Sequence, residues 1–307
     1  MHKGFVFSFL MLLGILTLLS CQKYENNNVP IADAGTPVTI QLPEDSTILQ
    51  GSGSDKDGSI VGYSWSELSG PNAALILTDG AATTTVKRLS TGTYVFQLMV
   101  VDNEGATGID TVSVNVLPPK IKIVTLLNST KSGNEMYLSG NDFDNYSDPT
   151  SPELDAFAWT RNGLPDYGRS LFKFDLSQLP ANATITAAKL TLYSNPAPLN
   201  GNLIDANSGS SNAMFIQRVV SNWSTSTSWQ TQPATDSNDE ILIPQTNTSM
   251  LDLTDIDVTD MVQKMKTSGN YGFMIRLQNE IMYNSRIFCS SKYTDVSKHP
   301  KLEITYY

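Results

Sequence analysis

Between residues 30 and 117 apolar and polar side chains alternate in short runs: Val38-Thr-Ile-Gln-Leu42, Ser46-Thr-Ile-Leu49, Ile60-Val-Gly-Tyr-Ser-Trp65, Thr93-Tyr-Val-Phe-Gln-Leu-Met-Val-Val101 and Thr111-Val-Ser-Val-Asn-Val116. A period of two sends successive side chains to opposite faces of a strand, so each run predicts a half-buried β-strand. Gly-Ser, Asp-Gly and Gly-Pro punctuate the runs and supply the turns, which makes residues 30–117 a small β-sandwich. Pro118-Pro119 stops the last strand and gives a short, semi-rigid junction.

Residues 120–307 read as a second β-domain. Its opening part, to Gly168, is loop-rich, with aspartates at Asp142, Asp144, Asp148 and Asp155. Strand-like segments follow at Ser170–Asp175, Ala187–Ser194, Met214–Val220, Gly272–Gln278, Ser285–Ser290 and Lys301–Tyr306. One stretch, Asp257–Lys266, has helical spacing, with Thr259 as its N-cap and Met261, Val262 and Met265 on one face. The predicted fold class is all-β, an immunoglobulin-like sandwich followed by a jelly-roll sandwich.

The N-terminus has a different pattern. Met1-His-Lys3 is followed by an uncharged apolar stretch from Gly4 to Leu19, too short for a membrane span, and then by Ser20-Cys21. This reads as a signal peptide over residues 1–20, with a polar tether over 21–29. Leu18-Leu-Ser-Cys21 resembles the lipobox of bacterial lipoproteins, which implies acylation of Cys21 and a membrane partner through that anchor. The expected location is the bacterial outer membrane, lipid-anchored and surface-exposed.

Composition narrows the chemistry. A formal net charge of -10 argues against nucleic acid as a partner. Only Cys21 and Cys289 are present, so an acylated Cys21 leaves no intramolecular disulfide, and Cys289 reads as a small buried strand residue. The two histidines are His2, lost with the signal, and His299 near the C-terminus, so histidine acid–base chemistry and histidine-rich metal sites are excluded. No nucleophile elbow or phosphate loop occurs. The expectation is a non-catalytic monomer without a cofactor. Structural calcium is considered at the aspartate-rich stretch Asp142–Asp155, whose spacing matches no defined site, while Asp55, Asp57 and Gly58 read as a turn.

Particular words in each half carry a family resemblance. Ala32-Asp-Ala-Gly35, Gly51-Ser-Gly-Ser-Asp-Lys-Asp-Gly-Ser-Ile60, the strand ending at Trp65 and Val101-Asp-Asn-Glu-Gly105 resemble the PKD-type immunoglobulin-like domain, which implies a core role for Trp65 and a spacer function. In the second half, Ala158-Trp-Thr160, Arg169-Ser-Leu-Phe-Lys-Phe-Asp175, Lys189-Leu-Thr-Leu-Tyr-Ser194, Gln217-Arg-Val219, Trp229-Gln-Thr-Gln-Pro233, Asp257-Val-Thr259 and Asn270-Tyr-Gly-Phe273 occur in one order. They resemble the DNRLRE family, also classed as carbohydrate-binding module family 96. The resemblance implies a β-jelly roll and polysaccharide ligands, acidic algal ones among them. The Ser-Thr-Ser-Thr-Ser run between Trp223 and Trp229 departs from the glutamate often found there.

Alternation along the second domain's strands sorts the candidate ligand contacts. Phe172 and Phe174 oppose Arg169 and Lys173; Leu190 and Leu192 oppose Tyr193; Phe273, Ile275 and Leu277 oppose Arg276; Ile287 and Cys289 oppose Arg286. With the apolar sets inside, Arg169, Lys173, Tyr193, Arg276 and Arg286 face outward. On one sheet they would make a basic strip with an aromatic platform, suited to a uronate polymer such as alginate. The competing reading makes some of these arginines structural partners of Asp175 or Glu280. Trp159, Trp223 and Trp229 are either sugar-stacking residues or core and loop anchors. The expected function is capture of an acidic glycan for nearby degradation or uptake, and the alternative is a structural or adhesive surface protein contacting host or cell-envelope components.

Overall fold

The computed structural model describes residues 26–128, 134–141 and 145–307. Residues 1–20, expected to form a signal peptide, lie outside the described residues, as do Cys21, the expected acylation site, and Asp142 and Asp144. The chain divides into two compact units at Pro118/Pro119. The architecture is all-β with one short helix.

The first unit contains β1 (Ile31–Asp33), β2 (Val38–Gln41), β3 (Thr47–Gln50), β4 (Ser52–Ser54), β5 (Ile60–Ser69), β6 (Leu75–Ile76), β7 (Thr83–Lys87), β8 (Gly92–Asp102) and β9 (Thr107–Leu117). A four-stranded sheet in the order β2-β9-β8-β5 packs with a three-stranded sheet β3-β7-β6, and β1 pairs with β4. The alternation of β8 puts Tyr94, Phe96, Leu98 and Val100 wholly inside, against Trp65, Val86 and Leu49. Each such side chain contributes about 1.5–3 kcal/mol by leaving water. Trp65 keeps its indole satisfied by donating to the carbonyls of Ala81 (3.1 Å) and Ala82 (3.2 Å). Gly51 is required beside it, since a Cβ there would stand 2.7 Å from the Trp65 ring and 2.5 Å from Leu98. The Asp55–Gly58 segment is a turn in which the Asp57 carboxylate accepts the backbone and side-chain N–H groups of Asn28, which hold its pKa below the ordinary value.

The second unit contains β10 (Lys122–Leu127), β11 (Glu135–Gly140), β12 (Asn145–Asp148), β13 (Glu153–Arg161), β14 (Leu164–Phe172), β15 (Ile185–Leu192), β16 (Asn207–Ser208), β17 (Met214–Val219), β18 (Thr235–Ile243), β19 (Leu253–Asp257), α1 (Thr259–Ser268), β20 (Phe273–Leu277), β21 (Asn284–Cys289) and β22 (Lys301–Tyr306). The sheet β10-β22-β15-β19 faces a nine-stranded sheet whose main path is β16-β21-β13-β14-β20-β17-β18, with β11 and β12 branching from β14. Leu190, Leu192, Leu302 and Ile304 from the first meet Met214, Ile216, Phe273, Ile275 and Leu277 from the second in one core.

The larger sheet forks at β14. One edge of that strand pairs with β11. The other pairs with β13 from Leu164 to Gly168 and then with β20 from Ser170 to Phe172. Beyond the fork β13 pairs only with β21, from Glu153↔Cys289 to Ala158↔Asn284.

Two sequence expectations need correction at this level. Residues 120–168 are strand-rich, not loop-rich: β10, β11, β13 and part of β14 lie there, and their acidic residues are buried instead of marking loops. Thr259 is the first helical residue and Val258 occupies the N-cap position. The end is satisfied by Asp257, whose Oδ1 accepts both the backbone N–H (3.0 Å) and the hydroxyl (2.6 Å) of Thr259, while that hydroxyl accepts the Ala188 N–H.

Candidate functional site

The five predicted contact residues do not form one outward strip. Arg169 in β14, Arg276 in β20 and Arg286 in β21 share the nine-stranded sheet, Lys173 directly follows β14, and Tyr193 follows β15 of the other sheet. Arg169 and Lys173 flank Leu171, whose cross-strand partners are Met136 and Met274. That face is closed over. Met136, Leu138, Leu171, Val219, Trp223 and Met274 make a second apolar cluster, with Trp229 and Tyr271 packed on it.

The cations on this face are engaged internally. Arg169 donates to both Glu280 oxygens (2.7 and 2.9 Å) and to Gln232 (3.1 Å), with its guanidinium 4.6 Å from the Trp229 ring centre. This is the structural ion pair, in the bidentate geometry that arginine favours. Lys173 lies 4.7 Å from the Trp223 ring centre, and Trp223 is itself buried with its indole N–H on Tyr271 O at 2.7 Å. Trp223 is therefore a loop anchor. Arg276 lies 5.2 Å from the Phe215 ring centre and donates to Gln217 at 3.2 Å.

Arg286 contradicts its predicted outward position. It is 0% exposed, lies 5.9 Å from the Phe288 ring centre, and donates one hydrogen bond, to Pro244 O at 3.1 Å. Burial pulls its pKa down to about 10. Alternation places Arg286 opposite Ile287, but β21 is buried on both faces: Phe288 joins the main core, whereas Ile287 joins a separate small cluster with Tyr137, Phe157 and Ala206.

A buried carboxyl pair lies on β13. Glu153 accepts Asn195 Nδ2 (2.5 Å), the Leu199 N–H (2.7 Å) and Asn200 Nδ2 (3.1 Å). Asp155, fully buried two residues on, accepts only Asn200 Nδ2 (3.2 Å), and its Oδ1 has no partner. Desolvation raises both pKa values, that of Asp155 far more, with the Glu153 charge adding to it. Burial thus favours the protonated form of the pair, and Asp155 over Glu153 as its site because Glu153 has the N–H donors.

The open surface lies nearby, where the small cluster reaches solvent. Trp159, half-buried, packs on Tyr137, Phe157, Ala206 and Ile287 and meets Tyr283 edge-on, ring centres 5.3 Å apart at 86°. Tyr137 meets Tyr146 at 5.9 Å and 63°, and the Arg161 guanidinium lies 5.6 Å from the Tyr146 ring centre. Arg161 Nε is 3.5 Å from Asp166, which also accepts the Ser139 hydroxyl at 2.7 Å. Tyr283 is 58% exposed and Tyr146 43% exposed. Gly168 lets the Phe157 ring lie flat over β14, since a Cβ there would come within 2.4 Å of it. Of these residues, sequence reasoning singled out Trp159 alone. Tyr146, Arg161 and Tyr283 become neighbours only through the β12-β11-β14-β13-β21 strand order, which no local signal predicts.

Among the described residues no group of three or more His, Cys, Asp or Glu side chains is placed to hold a metal ion.

The sequence model of "carbohydrate-binding module family 96" matches residues 145–306, and that of "K319L-like, PKD domain" matches residues 34–116. Among curated proteins, the chain is 40% identical over 116 residues to the mouse dyslexia-associated protein KIAA0319-like protein, covering 34% of this chain and 11% of that one. It is 35% identical over 104 residues to human low-density lipoprotein receptor-related protein 11, covering 34% and 21%. The chain thus spans a small fraction of the length of these relatives. A solved structure, the PKD domain from KIAA 1837 protein, is 34% identical, covering 31% of this chain and 94% of that one, with a TM-score of 0.28.

These relatives overturn several expectations. They are mouse, human and rat proteins with receptor-related or dyslexia-associated names, not bacterial lipoproteins. The reading as a bacterial lipoprotein, the outer-membrane placement, the acyl anchor as membrane partner and the capture of an acidic glycan for utilisation are withdrawn accordingly.

Proposed function

Because this chain belongs to carbohydrate-binding module family 96, we propose that it is an extracellular adhesive or structural protein whose second sandwich makes contact through glycans, with the immunoglobulin-like unit as a spacer. The observation that carries this reading is the contrast between two faces of the second unit. The Arg169–Lys173 face is closed by Trp223 and Trp229, with its arginine tied to Glu280. The surface around Trp159 instead presents exposed aromatic rings backed by a rigid sheet. Aromatic rings offer large apolar area at low conformational cost and pack against the C–H faces of sugars. Arg169, Lys173 and Arg276 serve this sandwich as structural contacts.

The test is adhesion of beads carrying the full chain to glycoprotein-coated surfaces, before and after periodate oxidation of the sugars. Adhesion abolished by periodate is the expected result. Equal adhesion to oxidised and intact surfaces would remove glycan contact from the reading.

A further inference from the structure

Resting on that glycan-contact reading, we infer that Trp159 and Tyr283 form a two-walled corner that seats a pyranose ring of a neutral polysaccharide, with Arg161, backed by the buried Asp166, at its edge to engage hydroxyl groups. The corner is a consequence of pairing. Ala158↔Asn284 brings the end of β13 beside the start of β21, so the neighbours Trp159 and Tyr283 meet at 86°. Trp159↔Asp166 are direct cross-strand partners, and Arg161 lies two residues further along β13. Rings at a right angle cover one sugar face and one edge together, which a single exposed ring cannot do.

Tyr283 carries a second, independent mark. Its φ is 64°, in the left-handed region that a bulky L-residue rarely adopts. The turn is held in that state by Asn284, which donates to Ile281 O (3.0 Å) and Met282 O (3.3 Å) and accepts the Ser211 N–H (2.6 Å). Glycine would fit this backbone without strain, yet the position carries an exposed tyrosine, so folding alone does not require the ring.

Charge selects the sugar class. The chain is acidic, at -10, and Arg161 is already shared between Asp166 and the Tyr146 ring. Asp166, buried and already accepting from Ser139, places a fixed negative charge behind Arg161 that disfavours a uronate carboxylate. The ligand is therefore a neutral glucan, mannan or galactan, and not a uronate polymer.

The experiment is affinity electrophoresis of the full chain through gels containing hydroxyethylcellulose, laminarin, glucomannan, galactan or alginate. Tyr283→Gly and Trp159→Ala run alongside, with Ile123→Ser on β10 of the other sheet as control. Tyr283→Gly removes the ring while suiting the backbone, so its melting temperature stays at or above that of the parent and loss of binding cannot be blamed on unfolding. Retardation in a neutral gel, weakened about tenfold or more by Tyr283→Gly and untouched by Ile123→Ser, is the expected result. Retardation that Tyr283→Gly leaves intact, or retardation by alginate alone, overturns the corner while sparing glycan contact. Free migration in every gel overturns the corner, while the broader reading stands or falls with the periodate test.

Discussion

Replacing Asp155 by Asn should stabilise the second unit at neutral and alkaline pH, although it alters a fully buried residue. Among the described residues Asp155 Oδ1 has no hydrogen-bond partner and no cation pairs with either carboxyl, while Oδ2 shares Asn200 with Glu153. Desolvation and the neighbouring Glu153 raise the Asp155 pKa well above its ordinary 3.8. The folded state therefore binds a proton that the unfolded chain releases, and stability falls as pH rises from the unfolded value through the folded one. Asn at this position donates to Glu153, still accepts from Asn200, and needs no proton. A buried unsatisfied polar group costs about 1–3 kcal/mol, so relief of ~1–2 kcal/mol is expected at pH 8. For a unit the size of Pro119–Tyr307 that is a rise of about 2–8 °C in its melting transition. At pH 4 parent and variant should nearly coincide. Scanning calorimetry of both proteins between pH 4 and pH 8 decides the matter. A variant that melts below the parent at pH 8, or keeps the parent's pH slope, would refute the shared-proton account.

Three further outcomes follow from the same unit. Arg169→Ala should cost about 2–4 kcal/mol, because it leaves Glu280 and Trp229 without their partner; a double-mutant cycle with Glu280→Gln in urea should return a coupling of at least ~1 kcal/mol, and additivity would contradict the ion pair. Arg286→Met should be neutral or stabilising by up to ~3 kcal/mol, since Nε and Nη2 of that buried guanidinium have no partners; a loss above 3 kcal/mol in the same assay would show that the charge is compensated. Cys289 is fully buried, and burial pushes its thiol up to about 12, so a thiol reagent at pH 8 should leave the native chain unmodified at this position and label it on unfolding; labelling at equal rates in both states would contradict the burial.

How far the sequence reveals this molecule depends on whether one or both faces of a strand are buried. In β22 one face is core and the other, with Lys301, Glu303 and Thr305, is polar, so alternation shows both the strand and its orientation, with Leu302 and Ile304 inside. β13 is buried on both faces from Glu153 to Ala158, with two carboxyls carried inside by a loop that supplies Asn195, Leu199 and Asn200. A strand of that kind shows no alternation, and its acids read as loop residues. β21 is buried throughout, so Ile287 and Phe288 are both core and alternation cannot tell which face is outward; the fold encloses Arg286 on the Phe288 side.

The candidate site failed to show in the sequence for a related reason. A basic strip could be assembled from alternation because Arg169, Lys173 and Arg276 do share a sheet face. Alternation reports which side of a sheet a residue is on, and it does not report whether a loop covers that side. The segment from Val219 to Pro233 closes it, and the two tryptophans that bound the polar Ser-Thr-Ser-Thr-Ser run are what fasten it down, one under Lys173 and one under Arg169. The cations thus raise the polarity of an internal contact, with their charge offset by Glu280 and by the ring faces. Meanwhile Tyr146, Trp159 and Tyr283, far apart in the chain and unremarkable singly, are gathered by five adjacent strands into an aromatic surface that Tyr283 and Tyr146 keep open to solvent. The meeting of these rings therefore depends on strand order, which no local pattern of the sequence reports.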